Sequence, residues 1–305
     1  MKKNMKKNKN DLRKHLTGIS GVHITPFKSN GEINDELLIK IINKISSAGI
    51  HVIVSNGNTA EFYSLNPEEI KHIQGISAQA NEGQSLMMMA VGRSLKEAID
   101  NAKSAKQNKA DLIMIHQPMD PFVDPHHQAN YILEIAESAE IPVVPYIRST
   151  IISKNDILSI AEHKNVVGIK FASPDLTLLA QCINETSSSD IVWICGLAES
   201  WAIPFYSIGA RGFTSGLVNV FPEISLKLHT ALEECNFENA TKLVSKISGF
   251  ERMRTKYNNG ANVTVVKETL KLLGMDVGNV RLPGLPFLNS EDLSELKSVM
   301  KDLLD

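Results

Sequence analysis

The sequence is poor in cysteine, has no long apolar run and carries no excess of either charge. Cys182, Cys195 and Cys235 are the only cysteines among 305 residues, too few and too scattered for a disulfide scaffold or a zinc site. No apolar stretch approaches the length of a membrane span, and the net charge of -2 gives no general attraction to nucleic acid or anionic lipid. We therefore expect a reduced, soluble, cytoplasmic protein that binds neither nucleic acid nor membrane.

The N-terminal stretch lacks the features of an export signal. It reads MKKNMKKNKNDLRKHL, which is basic and polar and has no apolar central region. It also has no aromatic residue that could stack on a base, so a nucleic-acid-binding arm is not favoured. We predict a basic, flexible tail over residues 1–17.

Short apolar segments rich in β-branched residues alternate with amphipathic segments from Gly18 to Phe221. Near-continuous apolar runs of this length are typical of parallel strands that are covered on both faces. Residues such as Asn34, Asn66 and Ser94 are typical helix caps, and each opens an amphipathic segment. The predicted strands are 21–25, 51–55, 86–91, 110–116, 142–146, 166–171, 191–195 and 212–215.

Eight such strand–helix units predict a (β/α)8 TIM barrel over residues 18–221. An open doubly wound sheet is the competing fold, but no GxGxxG follows the first strand and there is no P-loop. Beyond Phe221 the strands stop, and helical stretches follow at about 222–250, 262–273 and 290–304. We predict that residues 222–305 form a C-terminal helical region packed on the barrel.

Lys170 places a charge inside the apolar run Val166-Val-Gly-Ile-Lys-Phe171, which reads as a buried strand. A buried ammonium group is costly unless it has a purpose. Desolvation favours the neutral amine, which is a nucleophile toward carbonyl carbons. The alternative is a lysine at a strand end whose side chain turns out to solvent.

Tyr146 ends the strand before that of Lys170, and active sites of barrels lie at the C-terminal ends of the strands. A phenol beside the amine can shuttle protons as a carbinolamine collapses to a Schiff base. The protonated Schiff base then stabilises a carbanion at the neighbouring carbon. The alternative for Tyr146 is a rim aromatic with its hydroxyl in water.

The turn after strand two, Gly57-Asn58-Thr59-Ala60, leads from a strand toward a helix. Its backbone N–H groups could hold a carboxylate, and the Thr59 hydroxyl could relay a proton to Tyr146. An ordinary capping turn is the alternative.

Arg148 offers a guanidinium group for a second carboxylate. Its alternative is a surface ion pair with Glu199 or Asp120. Gly196 and Ser215, at the ends of strands seven and eight, complete the predicted substrate pocket.

Five potential metal ligands fall close together in the sequence, namely His116, Asp120, Asp124, His126 and His127. However, His126 and His127 are adjacent at a helix start and point apart, so they do not form the i, i+4 pair of a helical metal site. We predict no metal site.

Four motifs stand in a characteristic order: GVHITPF at 21–27, GNTAE at 57–61, Pro145-Tyr146 and Gly168-Ile-Lys170. With them the chain resembles the dihydrodipicolinate synthase and N-acetylneuraminate lyase superfamily, from about Gly18 to the C-terminus. The resemblance implies a 2-oxo acid substrate, an imine-forming lysine and a proton-shuttling tyrosine. It also implies a carboxylate site at Asn58 and Thr59, no metal, no organic cofactor, and a homodimer or homotetramer.

Two features depart from the synthase of this superfamily. The loop after strand four, HQPMDPF at 116–122, lacks the usual tyrosine, and Arg148 follows Tyr146 by only two residues. Both features are similar to 5-dehydro-4-deoxyglucarate dehydratase, which implies a sugar-acid dehydratase. Dihydrodipicolinate synthase and a pyruvate aldolase are the alternatives. A non-catalytic oxo-acid-binding protein is less favoured, because binding alone does not need a buried amine.

Overall fold

The apolar runs form a closed barrel in the computed structural model, which describes residues 8–81, 85–148 and 151–304. Each strand pairs in parallel with the next, and the last pairs with the first. This confirms the predicted TIM barrel, although the first strand lies earlier in the chain than the predicted 21–25. The described strands are β1 Ile19–Val22, β2 Val52–Ser55, β3 Leu86–Val91, β4 Leu112–Ile115, β5 Val143–Ile147, β6 Gly168–Phe171, β7 Val192–Cys195 and β8 Phe213–Ser215.

A helix follows every strand, and further helices lie at both ends of the described chain. Most begin at a side chain that accepts the N–H group of the third helical residue, as Asn34, Asn66 and Ser94 do. The helices are α1 Lys9–Leu16, α2 Asp35–Ser47, α3 Pro67–Ala80, α4 Leu95–Gln107, α5 Pro125–Ser138, α6 Lys154–Ala161, α7 Leu176–Glu185, α8 Ala202–Ser207, α9 Pro222–Glu233, α10 Phe237–Thr255, α11 Asn262–Leu272 and α12 Ser290–Leu304. None of the helices in the described ranges is both long and apolar enough to cross a bilayer.

The side chains of each strand alternate between the barrel interior and the layer under the helices. On β2, Val52 and Val54 belong to the interior cluster, whereas Ile53 packs in the outer layer. This alternation follows from the two-residue period of a strand. It decides which strand residues can face a substrate.

Residues 9–16 correct the prediction of a flexible tail over residues 1–17, of which 1–7 lie outside the described residues. They form helix α1, which begins at a capping box between Asn8 and Asp11. Leu12 and Leu16 are buried and join the interior cluster of the barrel. The four-residue spacing of these leucines makes an apolar face that closes the N-terminal end of the barrel, while the basic residues face outward.

The C-terminal helices also differ from the predicted division. The stretch predicted to be helical at 222–250 is two helices, because Cys235 has a left-handed backbone with φ of 55° and Asn236 caps α10. Helix α9 follows β8 as the eighth helix of the barrel's strand–helix units. The helical extension itself therefore begins with α10 and not at residue 222.

Candidate active site

Lys170 points into the barrel at the C-terminal end of β6. Its neighbours Ile169 and Phe171 pack in the outer layer, so strand alternation places the Lys170 side chain inside. Only 5% of Lys170 is exposed. The alternative of a lysine turned out to solvent is therefore wrong.

Tyr146 is the partner of Lys170 across the β5–β6 pair. Its ring belongs to the interior cluster, and the Lys170 Nζ lies 4.1 Å from the ring centroid. The amine and the phenol therefore face one space, as predicted, and Tyr146 is not an exposed rim residue, since 7% of it is exposed.

Burial sets the protonation of both groups. It lowers the pKa of Lys170 from 10.5 to about 7, and the nearby Arg148 guanidinium acts in the same direction. Burial also raises the pKa of Tyr146, against the opposing effects of Arg148 and of a hydrogen bond from the Asn58 side chain. Near neutral pH the site thus holds a fraction of neutral amine beside a protonated phenol, which is what Schiff-base formation needs.

Gly57 fixes the turn that follows β2. A Cβ at this position would lie 2.5 Å from Val22 Cγ1, so only glycine allows the close approach to β1. Asn58, Thr59 and Ala60 form one 3₁₀ turn, in which the Ala60 N–H donates to the Gly57 carbonyl. The N–H groups of Asn58 and Thr59 precede the first bond of the turn, so they are left for a ligand or water.

The side chains of Asn58 and Thr59 have different surroundings. The Asn58 side chain lies close enough to the Tyr146 phenol to lower its pKa, and the Asn58 amide oxygen is buried with no hydrogen-bond partner among the residues that the structure describes. The Thr59 methyl group lies 3.5 Å from the position of a Cβ on Gly216, beside the end of β8. The predicted relay from Thr59 to Tyr146 stays a prediction, and Asn58 is the turn residue in contact with the phenol.

Arg148 lies at the mouth of the site with an exposed side chain. Its backbone N–H donates to Gln117 Oε1 at 2.8 Å, which ties the end of β5 to the end of β4. The Gln117 carbonyl in turn accepts from Tyr63, whose phenol lies on the same rim. Within the described ranges no carboxylate pairs with the Arg148 guanidinium, neither that of Glu199 nor that of Asp120.

Gly196 lies beside the site, whereas the Ser215 side chain does not. A Cβ on Gly196 would lie 2.6 Å from Ala172 Cβ, so the chain passes close to the residue that follows β6. Ser215 shares the outer face of β8 with Phe213, and its hydroxyl donates to Glu199 Oε1 at 2.5 Å. The prediction that the Ser215 side chain binds substrate is therefore corrected. Strand alternation turns the Thr214 side chain toward the barrel interior and the Ser215 side chain away from it.

Glu199 is part of a buried polar cluster behind β7 and β8. Its Oε1 accepts from Ser215 and from Ser225, the latter at 2.6 Å. Burial raises the pKa of Glu199 to about 7, and the neighbouring Glu251 adds to this effect while the serines and Arg254 oppose it. The cluster lies behind the ends of these strands, and its Arg254 guanidinium reaches Gly216, which also neighbours Thr59.

The histidines that raised the possibility of a metal site have other partners. His116 Nε2 bonds to the Asn56 carbonyl and its ring stacks on Phe62. His126 pairs with Asp156, and His127 pairs with Asp124, each at 2.8 Å. In the part of the chain that the structure describes, no group of three or more His, Cys, Asp or Glu could hold a metal ion.

The sequence analysis did not predict a buried ion pair next to the site. Glu61, the last residue of the GNTAE motif, forms a buried ion pair with Lys267 of α11 at 2.6 Å. Lys267 stands in the run Val-Thr-Val-Val-Lys-Glu-Thr-Leu, so the signal that singled out Lys170, a lysine in an apolar run, was present here too.

Comparison with known proteins matches a model of the dihydrodipicolinate synthetase family over residues 15–303. A solved structure of dihydrodipicolinate synthase from Oceanobacillus iheyensis is 37% identical, with a TM-score of 0.93, covering 96% of this chain and 98% of that one. A 4-hydroxy-tetrahydrodipicolinate synthase of Methanothrix thermoacetophila is 26% identical, covering 94% of this chain and 97% of the relative. A probable 5-dehydro-4-deoxyglucarate dehydratase of Bacillus subtilis is 24% identical, covering 96% of each.

Proposed function

The chain belongs to the dihydrodipicolinate synthetase family of lyases, and from this premise we propose that its substrate is a hydroxylated, dicarboxylic 2-oxo acid. The best candidate is 5-dehydro-4-deoxyglucarate. The reaction is then a dehydration with decarboxylation, carried out through a Schiff base at Lys170.

This proposal rests on the position of the Arg148 guanidinium group. Its guanidinium lies at the mouth of the site, close enough to Lys170 and Tyr146 to lower the pKa of both. No carboxylate among the described residues neutralises it. A planar guanidinium group that no described carboxylate pairs with fits a carboxylate at the far end of the substrate, which pyruvate does not have.

Asn58 supports the same class of substrate. Its buried amide oxygen has no hydrogen-bond donor in the described part of the chain. Such an acceptor is costly to leave unpaired, so a ligand that brings a hydroxyl group would satisfy it. The hydroxyl groups of a sugar acid can donate this bond, whereas pyruvate has none to offer.

The steps use groups already in place. The neutral Lys170 amine adds to the ketone, and water leaves to give the imine, with Tyr146 moving the protons. Loss of a proton beside the imine gives an enamine, which expels hydroxide from the next carbon. Decarboxylation and hydrolysis of the imine then free Lys170. In sum, the sugar-acid dianion and one proton give 2-oxoglutarate semialdehyde, carbon dioxide and water.

The second candidate is condensation of pyruvate with aspartate semialdehyde. A relative of known structure that is 37% identical is named a dihydrodipicolinate synthase, which supports this second candidate. Both candidates use the imine at Lys170 and need no metal and no organic cofactor. A homodimer or homotetramer stays a prediction in either case.

Turnover on the two substrate sets tests the proposal. We expect the purified protein to release carbon dioxide from 5-dehydro-4-deoxyglucarate and not to consume aspartate semialdehyde in the presence of pyruvate. Lys170→Ala is the control and should abolish turnover in a folded protein. Steady consumption of pyruvate and aspartate semialdehyde, with no reaction of the sugar acid, would reject the dehydratase in favour of the synthase.

A further inference from the structure

Glu61 directly follows the turn that is proposed to hold the substrate carboxylate. Its backbone is left-handed, with φ of 61° and ψ of 36°, a conformation that residues other than glycine adopt only when the surroundings enforce it. Its side chain is 4% exposed and carries a charge. The position of the turn therefore depends on what holds this carboxylate.

Both oxygens of the Glu61 carboxylate are held by the C-terminal part of the chain. Oε1 lies 2.6 Å from the Lys267 ammonium group, and Oε2 accepts the Arg281 backbone N–H at 2.8 Å. The Lys267 side chain is 1% exposed, and its Nζ also donates to the Asn279 carbonyl at 3.1 Å. A buried pair of this kind leaves either charge uncompensated if the other is removed.

Arg281 extends this contact beyond the turn. Its guanidinium makes two bonds to the Glu69 carboxylate, at 2.6 and 2.8 Å, and one to the Ser64 carbonyl at 3.2 Å. Both cations contact the ring of Phe27, which follows β1, with Lys267 Nζ 4.4 Å and Arg281 Cζ 4.1 Å from its centroid. The segment from Glu61 to Glu69 is thus held at several points by Lys267 and Arg281.

We propose that Lys267 is a positioning residue for catalysis, which acts through Glu61 to hold the N–H groups of Asn58 and Thr59 toward the substrate carboxylate. Through Lys267, the C-terminal helical extension then supports the active site without Lys267 itself touching the substrate. This inference rests on the proposed function in one respect, namely that a 2-oxo acid binds its carboxylate on the turn.

The test compares Lys267→Met with Lys271→Met. Lys271 lies one turn further along α11, where its ammonium group contacts Glu268 at 2.9 Å and the Asn279 side chain at 2.7 Å. It has no contact with Glu61 among the described residues, so Lys271→Met removes a neighbouring charge and keeps the pair with Glu61. For each variant, the Lys170 adduct with pyruvate is trapped by borohydride at increasing pyruvate concentration. Hydrogen exchange is measured in parallel on peptides that cover residues 57–64.

We expect Lys267→Met to raise the pyruvate concentration for half-maximal trapping about tenfold, because a displaced turn misplaces the carboxylate. The trapping rate at saturation should change less than about threefold, since Lys170 and Tyr146 are not moved. Exchange at residues 57–61 should increase. Lys271→Met should match the wild-type protein in all three measurements. The proposal would be overturned if Lys267→Met folds and needs the same pyruvate concentration as the wild type for half-maximal trapping. It would also be overturned if hydrogen exchange at residues 57–61 is unchanged in this variant.

Glu61→Gln is the second test variant, to be used if Lys267→Met does not fold. It keeps an acceptor for the Arg281 N–H, and the remaining lysine can lose its proton because burial lowers the pKa of Lys267. The same rise in half-saturating pyruvate is expected, and wild-type half-saturation in this variant would also reject the proposal. If the wild-type protein traps no oxo acid at all, the proposed function fails, and hydrogen exchange alone then decides whether Lys267 holds the turn.

Discussion

The Lys170 amine lies 4.1 Å from the centre of the Tyr146 ring, and the two residues are direct partners across β5 and β6. The two groups that the proposed Schiff-base chemistry needs, an amine and a phenol, thus lie on one pair of neighbouring strands. The barrel wall removes water from the amine and so lowers its pKa, while the same burial keeps the phenol protonated. A nucleophile and a proton donor are thereby held together by backbone hydrogen bonds and not by flexible loops.

Tyr146→Phe should slow imine formation about 100-fold or more, because a positioned acid–base group contributes that much to proton transfer. The measurement is the single-turnover rate of borohydride trapping with saturating pyruvate. Tyr206→Phe is the control, since the Tyr206 phenol is also buried but accepts the Gly212 N–H, before β8 begins. A trapping rate for Tyr146→Phe equal to that of the wild type would remove Tyr146 from the mechanism.

The rate of imine formation should rise with pH up to about 7 and level off above it. Only the neutral amine attacks the ketone, and burial lowers the pKa of Lys170 to about 7, so protonation below that value removes the nucleophile. Trapping rates measured at subsaturating pyruvate across the neutral range check this expectation. A midpoint near the ordinary value of 10.5 would mean that Lys170 is not desolvated.

Arg148→Met should raise KM for the dicarboxylic sugar acid about 10-fold to 100-fold, since a charge-assisted bond to a carboxylate is lost. Half-saturation of trapping by pyruvate, which has one carboxylate, should change much less. Lys154→Met is the control from the next helix, where Lys154 pairs with Glu185. An equal effect of Arg148→Met on both substrates would show that Arg148 does not bind the second carboxylate.

Leu16→Ala should lower the free energy of unfolding by about 2–5 kcal/mol, because Leu16 is fully buried at the closed end of the barrel. Lys14→Ala on the exposed face of the same helix should change it by less than about 0.5 kcal/mol. Chemical denaturation of both variants gives the comparison. Equal stabilities would contradict the packing of α1 under the barrel.

The sequence predicted the barrel and the shared cavity of Lys170 and Tyr146 because both depend on local patterns. Short apolar runs mark the strands, and a lysine in such a run is noticeable because burying a charged group costs free energy. Helix α1 was missed because its basic residues outnumber its two buried leucines, Leu12 and Leu16, although their spacing is helical.

Two other features of the site could not be derived from local patterns. The direction of Ser215 depends on the register of a three-residue strand, where a shift of one position exchanges the two faces. The apolar run around Lys267 marks this lysine as buried, but its pairing with Glu61 joins residues that lie far apart in the chain, so the partner could not be derived from local sequence.

The most direct test of the account is borohydride trapping followed by intact mass and peptide mapping, with pyruvate and with 5-dehydro-4-deoxyglucarate in parallel. We expect a mass gain on one peptide, located at Lys170, and no gain in Lys170→Ala. Turnover of the sugar acid should accompany its adduct. A folded wild-type protein that forms no adduct with either oxo acid, or forms it at another lysine, would contradict the central role of Lys170.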